Sequence, residues 1–264
     1  MIDLPAAGTA LLAMLALALA GWLWSLPRRD VSGVDSLWPL FFLAGALVYA
    51  WQTAAISLRG RWALVLLTLW SLRLAIHLTW RNHGQPEDRR YQAIRARNEP
   101  GFACKSVYLV FGLQAVLAWI IALPVLAALS GDAPWGPWDA AGCVLWAVGF
   151  LFESVSDRQL ARFRADPTRS GRVLDQGLWR YTRHPNYFGE ATLWWGFYLF
   201  GLPAGGWWTI VGPLLLTWLL LRVSGVTLLE RDIGERRPGY RDYVARTSAF
   251  LPWPPRSHAP RGQR

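Results

Sequence analysis

Apolar residues in this chain run in seven long blocks, and the charged residues gather in the stretches between them. The blocks cover approximately 6–27, 37–57, 62–80, 106–130, 138–156, 187–203 and 207–229. Each approaches the roughly 20 mostly apolar residues that a helix needs to cross a hydrocarbon core about 30 Å thick. None alternates like a strand of a membrane barrel, and a segment in lipid must pair its own backbone groups, so the blocks predict helices. The pattern predicts an all-α, polytopic integral membrane protein with about seven transmembrane helices. The fifth and sixth blocks are the weakest. Glu153 and Glu190 lie near their ends, and Gly201, Pro203, Gly205 and Gly206 crowd the turn after the sixth, so six crossings also fit.

Composition agrees: 53% of residues are hydrophobic, the mean hydropathy is +0.21 and there are 18 tryptophans. The net charge of +10 changes the picture through its distribution. Lys and Arg number two in 28–36, six in 81–105, seven in 157–186 and eight after 229, all on one side of the predicted spans. The other side holds Arg59 and Arg61, and Arg73 and Arg222 fall inside spans. The positive-inside rule then places the N-terminus outside and the C-terminus in the cytoplasm. A basic cytoplasmic face suits anionic membrane lipids and a polyphosphate cofactor, and it makes a nucleic-acid partner unnecessary. The first block is read as a retained helix, because Asp3 precedes it and Arg28 and Arg29 follow it, the reverse of a signal peptide. Cys104 and Cys143 offer neither a disulfide framework nor metal-ligand spacing, so no metal is expected. With no repeat and no long linker, residues 1–256 read as one membrane domain whose cofactor-binding half covers about 153–254. A basic tail over 257–264 is expected to be disordered.

Ionisable residues inside spans are costly and call for a partner or a water-lined cavity. Arg73 and His77 are spaced i, i+4 on the third helix, where they are candidates for substrate binding and chemistry. The structural alternative pairs Arg73 with Glu153 and gives His77 a packing hydrogen bond. Gln52 and Thr53 in the second helix are either substrate contacts or interhelical glue. Farther on, helical spacing puts Glu153, Asp157 and Arg164 on one stripe, able to hold ribose hydroxyls and a phosphate, with Arg169 and Arg172 close behind. A solvated helix end is the alternative there.

The densest polar cluster runs from Gly177 to Glu190. Pro185 is placed to start a helix, and a helix N-terminus attracts anions. Arg180, Arg183 and His184 can hold phosphates beside it, while the Asn186 amide suits an adenine or a carboxamide. The alternative is an interfacial belt in which Trp179, Tyr181 and Tyr187 anchor the membrane surface. After the last block, Glu230, Tyr240, Tyr243 and Arg246 either fold back to close the cofactor site or form a peripheral amphipathic tail.

Those residues carry a resemblance. The run Gly177 to Glu190, preceded by Glu153 through Arg164 and followed by Tyr240, Tyr243, Arg246 and Pro252, resembles the steroid 5-alpha-reductase-like membrane proteins, in particular a bacterial branch known as a domain of unknown function. It extends from about Leu37 to Pro254. The resemblance implies a seven-helix fold that holds NADPH at the cytoplasmic face. The implied reaction reduces a carbon–carbon double bond conjugated to a carbonyl in a lipid-soluble substrate of steroid or isoprenoid type. It implies that Gly177, Leu178, Trp179, Asn186, Tyr187, Gly189 and Glu190 line the cofactor, with Asp157, Arg164, Arg172 and Asn82 as further contacts. Tyr181, His184, Glu230, Tyr240, Tyr243 and Arg246 complete the expected cofactor set. Those reductases place a Glu after the Gln of the second helix and a Tyr in the third, whereas here Thr53 follows Gln52 and Ser71 stands near the Tyr position. The carbonyl-activating acid is therefore unassigned. His77, Tyr187 and Glu190 are the candidate catalytic groups, with Gln52, Thr53 and Arg73 as candidate substrate contacts.

Arg183-His184-Pro185-x-Tyr187-x-Gly189, with Glu230 and Tyr243, is also similar to isoprenylcysteine and phospholipid methyltransferases, which bind S-adenosylmethionine. The excess of arginines favours NADPH, whose pyrophosphate and extra phosphate call for several cations. A non-catalytic lipid-binding membrane protein is the third reading.

Overall fold

The computed structural model describes residues 2–223 and 239–256. Its helices are α1 (Leu4–Ser25), α2 (Gly33–Gln52), α3 (Leu58–Asn82), α4 (Arg89–Asn98), α5 (Phe102–Ile121), α6 (Leu123–Ser130), α7 (Pro137–Ala165), α8 (Pro185–Gly201), α9 (Trp207–Val223) and α10 (Tyr240–Arg246). Five of them, α1, α2, α3, α5 and α7, are long and apolar enough to cross a membrane. The sixth and seventh blocks correspond to α8, of 17 residues, and to the short apolar α9. The segment around Glu230 and the tail from Ser257 lie outside the described residues.

Local chemistry sets the helix ends. The Asp3 carboxylate accepts from the Ala6 amide at 3.1 Å and starts α1, and the Ser57 hydroxyl accepts from the Gly60 amide at 3.3 Å and starts α3. The fourth block, read as continuous over 106–130, breaks at Ala122 and restarts at Leu123 with Pro124 in the first turn. Proline has no N–H for the preceding turn but fits a helix start, so α5 and α6 are separate.

The described residues divide into two compact units, Met1–Asp139 with Phe197–Gly212 and Ala140–Gly196 with Pro213–Arg264. In lipid, helices associate through close packing and internal hydrogen bonds rather than through the hydrophobic effect. The first unit shows both. Phe42 meets Trp70 edge-on at 5.5 Å inside it, and a side chain at Gly45 would strike Met14. Trp119 Nε1 donates to the Ala7 carbonyl at 2.8 Å, and the Tyr49 hydroxyl bonds Ser130. Leu12, Leu69 and Ile76 point outward from the middle of their helices, as lipid-facing residues do.

Arg59, counted among the charges of the less basic side, is 1% exposed. Its Nε and Nη2 bind Asp139 at 2.5 and 2.8 Å, and it donates to the Ala133 and Pro134 carbonyls at 3.2 and 3.0 Å. Asp139 is 0% exposed and also accepts from the Gly136 amide at 2.8 Å.

A second polar cluster ties α4 to the first turn of α2. Asp35 accepts from the Tyr91 hydroxyl at 2.6 Å and from Arg90 Nη2 at 2.7 Å, while Gln114 donates to the Tyr91 oxygen at 3.2 Å. Glu87 binds Arg95 through both carboxylate oxygens, at 2.7 and 3.0 Å, and accepts from the Val31 amide at 3.0 Å. Burial, then the Asp35 charge, pushes the Tyr91 phenol well up. Burial opposes the charge on Arg90, yet Asp35 and Asp88 together raise its pKa. Asp88 is likewise opposed by burial and still held low by its bonds to Arg90. Arg81, Arg90 and Arg95 are thus engaged internally, and Arg89 and Arg97 are the exposed cations of α4.

Candidate functional site

The second unit is built on a crossing of α7 and α8 with no side chain between the backbones. A Cβ at Gly189 would lie 2.5 Å from the Glu153 amide nitrogen and 2.6 Å from the Gly149 carbonyl oxygen. One at Gly196 would lie 2.8 Å from both the Gly142 carbonyl and the Trp146 nitrogen. Gly142 and Gly149 on α7, and Gly189 and Gly196 on α8, are each seven residues apart, so one seam runs along two turns of both helices.

The seam fixes where the carboxylates go. Glu153 and Asp157 are buried, as are His184 and Glu190. The solvated alternative therefore fails for Glu153 and Asp157, whereas Arg158, Arg162 and Arg164 on the same helix are exposed. α8 begins at Pro185 as the sequence predicts, and its opening bond runs from the Phe188 amide to the His184 carbonyl at 3.0 Å. His184 and Tyr187 stack with centroids 5.6 Å apart and planes 2° from parallel, which orders the phenol. Asn186 Nδ2 reaches Asp157 Oδ1 at 3.4 Å, a long bond that a better partner can displace. Beyond the end of α7, Phe163, Arg164, Asp166, Arg169, Ser170 and Gly171 line an open cleft of about 320 Å³. Asp166 binds Arg169 Nε at 2.9 Å, and its hydrogen bonds to Thr168, more than the arginine, hold its carboxyl below the usual range.

Several residues expected to touch a cofactor instead shape the loop before α8. The Trp179 ring is buried with Phe163 and Leu174, and its Nε1 donates to the Ser156 carbonyl at 3.2 Å, so it is no surface anchor. Tyr181 is 42% exposed and does fit one. Gly177 has φ +61°, and the Gln159 amide occupies the space a side chain would need, accepting from the Leu178 amide at 3.1 Å. From α10, the buried Tyr243 hydroxyl donates to the Trp179 carbonyl at 2.5 Å, Tyr240 packs edge-on against Tyr243, and Arg246 pairs with Asp175. Arg183 Nη1 donates to the Thr247 carbonyl at 2.6 Å. The chain after α10 does fold back on this loop, through a parallel bridge between Thr182 and Ser248. Arg172 and Arg180 are exposed, and Glu230 lies outside the described residues.

Asn82, His77, Arg73, Gln52 and Thr53 belong to the first unit. The Gln52 amide donates to Thr9 Oγ1 at 2.5 Å and the Thr53 hydroxyl to the Tyr49 carbonyl at 3.0 Å, both at the C-terminal end of α2. Arg73 and His77 lie roughly 22–28 Å down α3 from its Leu58 start, so the structure separates them from Gln52 and Thr53. His77 lies 6.3 Å from the Trp80 ring, and Asn82 Oδ1 accepts from Arg81 Nε at 3.1 Å. Gln159, Asp175 and Thr182 did not stand out in the sequence, although the left-handed Gly177 and the paired glycine spacings were readable signals of the loop and the seam.

An uncharacterized protein of Schizosaccharomyces pombe is 27% identical to this chain, over 90% of this chain and 78% of the relative. No solved structure matches. The family described as "Protein of unknown function (DUF1295)" matches residues 21–247, most of the chain and both of its units, and the protein belongs to that family.

Proposed function

We propose that the protein is a membrane reductase that uses NADPH to reduce a carbon–carbon double bond conjugated to a carbonyl in a lipid-soluble substrate, steroid-like or isoprenoid-like. The observation that carries this reading is the pairing of Asp157 with Asn186 at 3.4 Å, two turns of α7 before Arg164, which lines the cleft. The donor set fits a dinucleotide. A cleft of about 320 Å³ takes one end of it, with Arg164 and the exposed Arg172 for phosphate and Ser170 for a hydroxyl. Asn186 and Asp157 offer an amide and a carboxylate to hydroxyl or carboxamide groups.

NADPH supplies the hydride. The chain's residues bind, orient and move the proton. The stacked Tyr187 is the proposed proton source at its Oη, and the buried Glu190, three residues on in α8, is the second candidate catalytic group. His77 remains the candidate acid of the first unit, one turn after the substrate candidate Arg73, and Gln52 and Thr53 are separate substrate candidates at the end of α2. The reading carries with it seven crossings, an outside N-terminus and a site facing the cytoplasm of a bacterial inner membrane, supported by the charge distribution. It rests on the resemblance to steroid 5-alpha-reductase-like proteins. The His184-Pro185-x-Tyr187-x-Gly189 run also supports a methyltransferase that binds S-adenosylmethionine.

Thermal stabilisation of the detergent-purified protein separates the readings. NADPH at 100 times its Kd adds about 2.7 kcal/mol of stability. Stabilisation by NADPH that is lost in Asn186→Ala and Arg164→Ala is the expected result. Stabilisation by S-adenosylmethionine alone overturns the reductase in favour of the methyltransferase, and no response to either leaves lipid binding.

A further inference from the structure

We infer that the segment following α10, residues 248–256, is a membrane-docking strap whose occupant is the headgroup region of the protein's own bilayer. The strap is pinned along its length. The Arg183 amide donates to the Ser248 carbonyl at 2.9 Å, Thr182 Oγ1 to the Phe250 carbonyl at 2.9 Å, and the Trp253 amide to the Tyr181 carbonyl at 2.9 Å. Its far end closes with the Arg256 amide on the Arg246 carbonyl at 3.0 Å. Between these anchors its side chains alternate. Phe250 turns inward, 6.0 Å from the Phe188 ring, whereas Leu251 and Trp253 are 65% and 71% exposed. A pinned backbone cannot turn two large apolar side chains away from solvent, so they need a partner.

The depth of the strap identifies it. Trp179 is bonded to the Ser156 carbonyl, at the turn of α7 where Phe150, Leu151 and Phe152 give way to Asp157, Arg158 and Arg162. That change marks the edge of the hydrocarbon, and Tyr181, two residues after Trp179, holds Trp253. Tryptophan and tyrosine favour this depth. The exposed charges around them, Arg180, Arg241 and Arg256 against Asp242, are predominantly basic, complementary to anionic headgroups. The strap's inner side holds Thr182 and Arg183, so docking it steadies the loop that leads into His184.

Spin labelling in vesicles tests this. A single label at Leu251→Cys, in a chain carrying Cys104→Ser and Cys143→Ala and keeping Trp253, is compared with one at the exposed Gln176→Cys. In vesicles of phosphatidylcholine with phosphatidylglycerol, the 251 label is expected to favour oxygen over a water-soluble nickel chelate by at least about threefold relative to the 176 label. Adding Trp253→Ser should bring it back towards water, and phosphatidylcholine alone should leave it shallower. Equal nickel access at the two positions overturns the proposal. So does shielding from both reagents, which signals protein cover such as a second copy, and indifference to lipid charge removes the headgroup as partner. No nucleotide enters the measurement, so it stands or falls apart from the proposed reductase activity.

Discussion

Replacing Arg59 by methionine strands a carboxylate in the interior of the first unit. Asp139 is 0% exposed and has both oxygens on the guanidinium, at 2.5 and 2.8 Å, so the variant leaves it with the Gly136 amide. Removing one partner of a buried pair costs about 3–5 kcal/mol, mostly through the charge left behind. That is roughly two to four powers of ten in the folding equilibrium. The double variant Arg59→Met with Asp139→Leu removes the stranded charge. It leaves the Ala133 and Pro134 carbonyls without this donor, worth about 1–2 kcal/mol together. Reversible unfolding of wild type, both single variants and the double variant, titrated from mild detergent into dodecyl sulfate, gives the cycle. The coupling should be at least about 2 kcal/mol, with the double variant more stable than Arg59→Met. A single variant within about 1 kcal/mol of wild type, or strict additivity, would refute the reasoning and mean that water reaches the pair.

Other parts of the chain yield sharper local tests. Gly189→Ala should force α7 and α8 apart, cost about 1–3 kcal/mol or more and abolish nucleotide stabilisation, measured by thermal shift with and without NADPH. Tyr243→Phe removes the donor to the Trp179 carbonyl and should cost about 1–3 kcal/mol, with faster amide exchange over 177–183 by mass spectrometry. Tyr91 has its pKa raised, so the folded state keeps the phenol neutral while the unfolded chain ionises above about 10. Its contribution is complete below that pH and is lost as pH rises towards the folded value. Wild type should therefore lose Tm above pH 10 faster than Tyr91→Phe, and parallel curves would contradict this assignment.

Much of this architecture was legible because long apolar runs follow a simple grammar. Long apolar runs become helices, and five of the seven blocks appear with the length to cross. Pro185 announced the start of α8 through its fixed geometry. What the pattern did not convey was which charges face inward. Glu153 and Asp157 left a solvated helix end as the alternative, because periodicity sets the face of a helix but not what covers it. Arg59 counted only as a charge of the less basic side, because its partner lies 80 residues away. Tyr243 and Arg246 read as ligand contacts, yet their polar ends hold the Trp179 carbonyl and Asp175, contacts that only the return of the chain after α10 creates. The break at Ala122 was visible in Pro124, but the surrounding apolar run outweighed it.

The same 80-residue separation orders assembly in time. A chain made at about 5–20 residues per second presents Arg59 roughly 4–16 s before Asp139 exists. During that interval the guanidinium has no carboxylate to enter the interior with, and the N-terminal end of α3 stays near water. Arrival of the first turn of α7 then draws Arg59 inward, so the first unit closes only after more than half of the chain has left the ribosome.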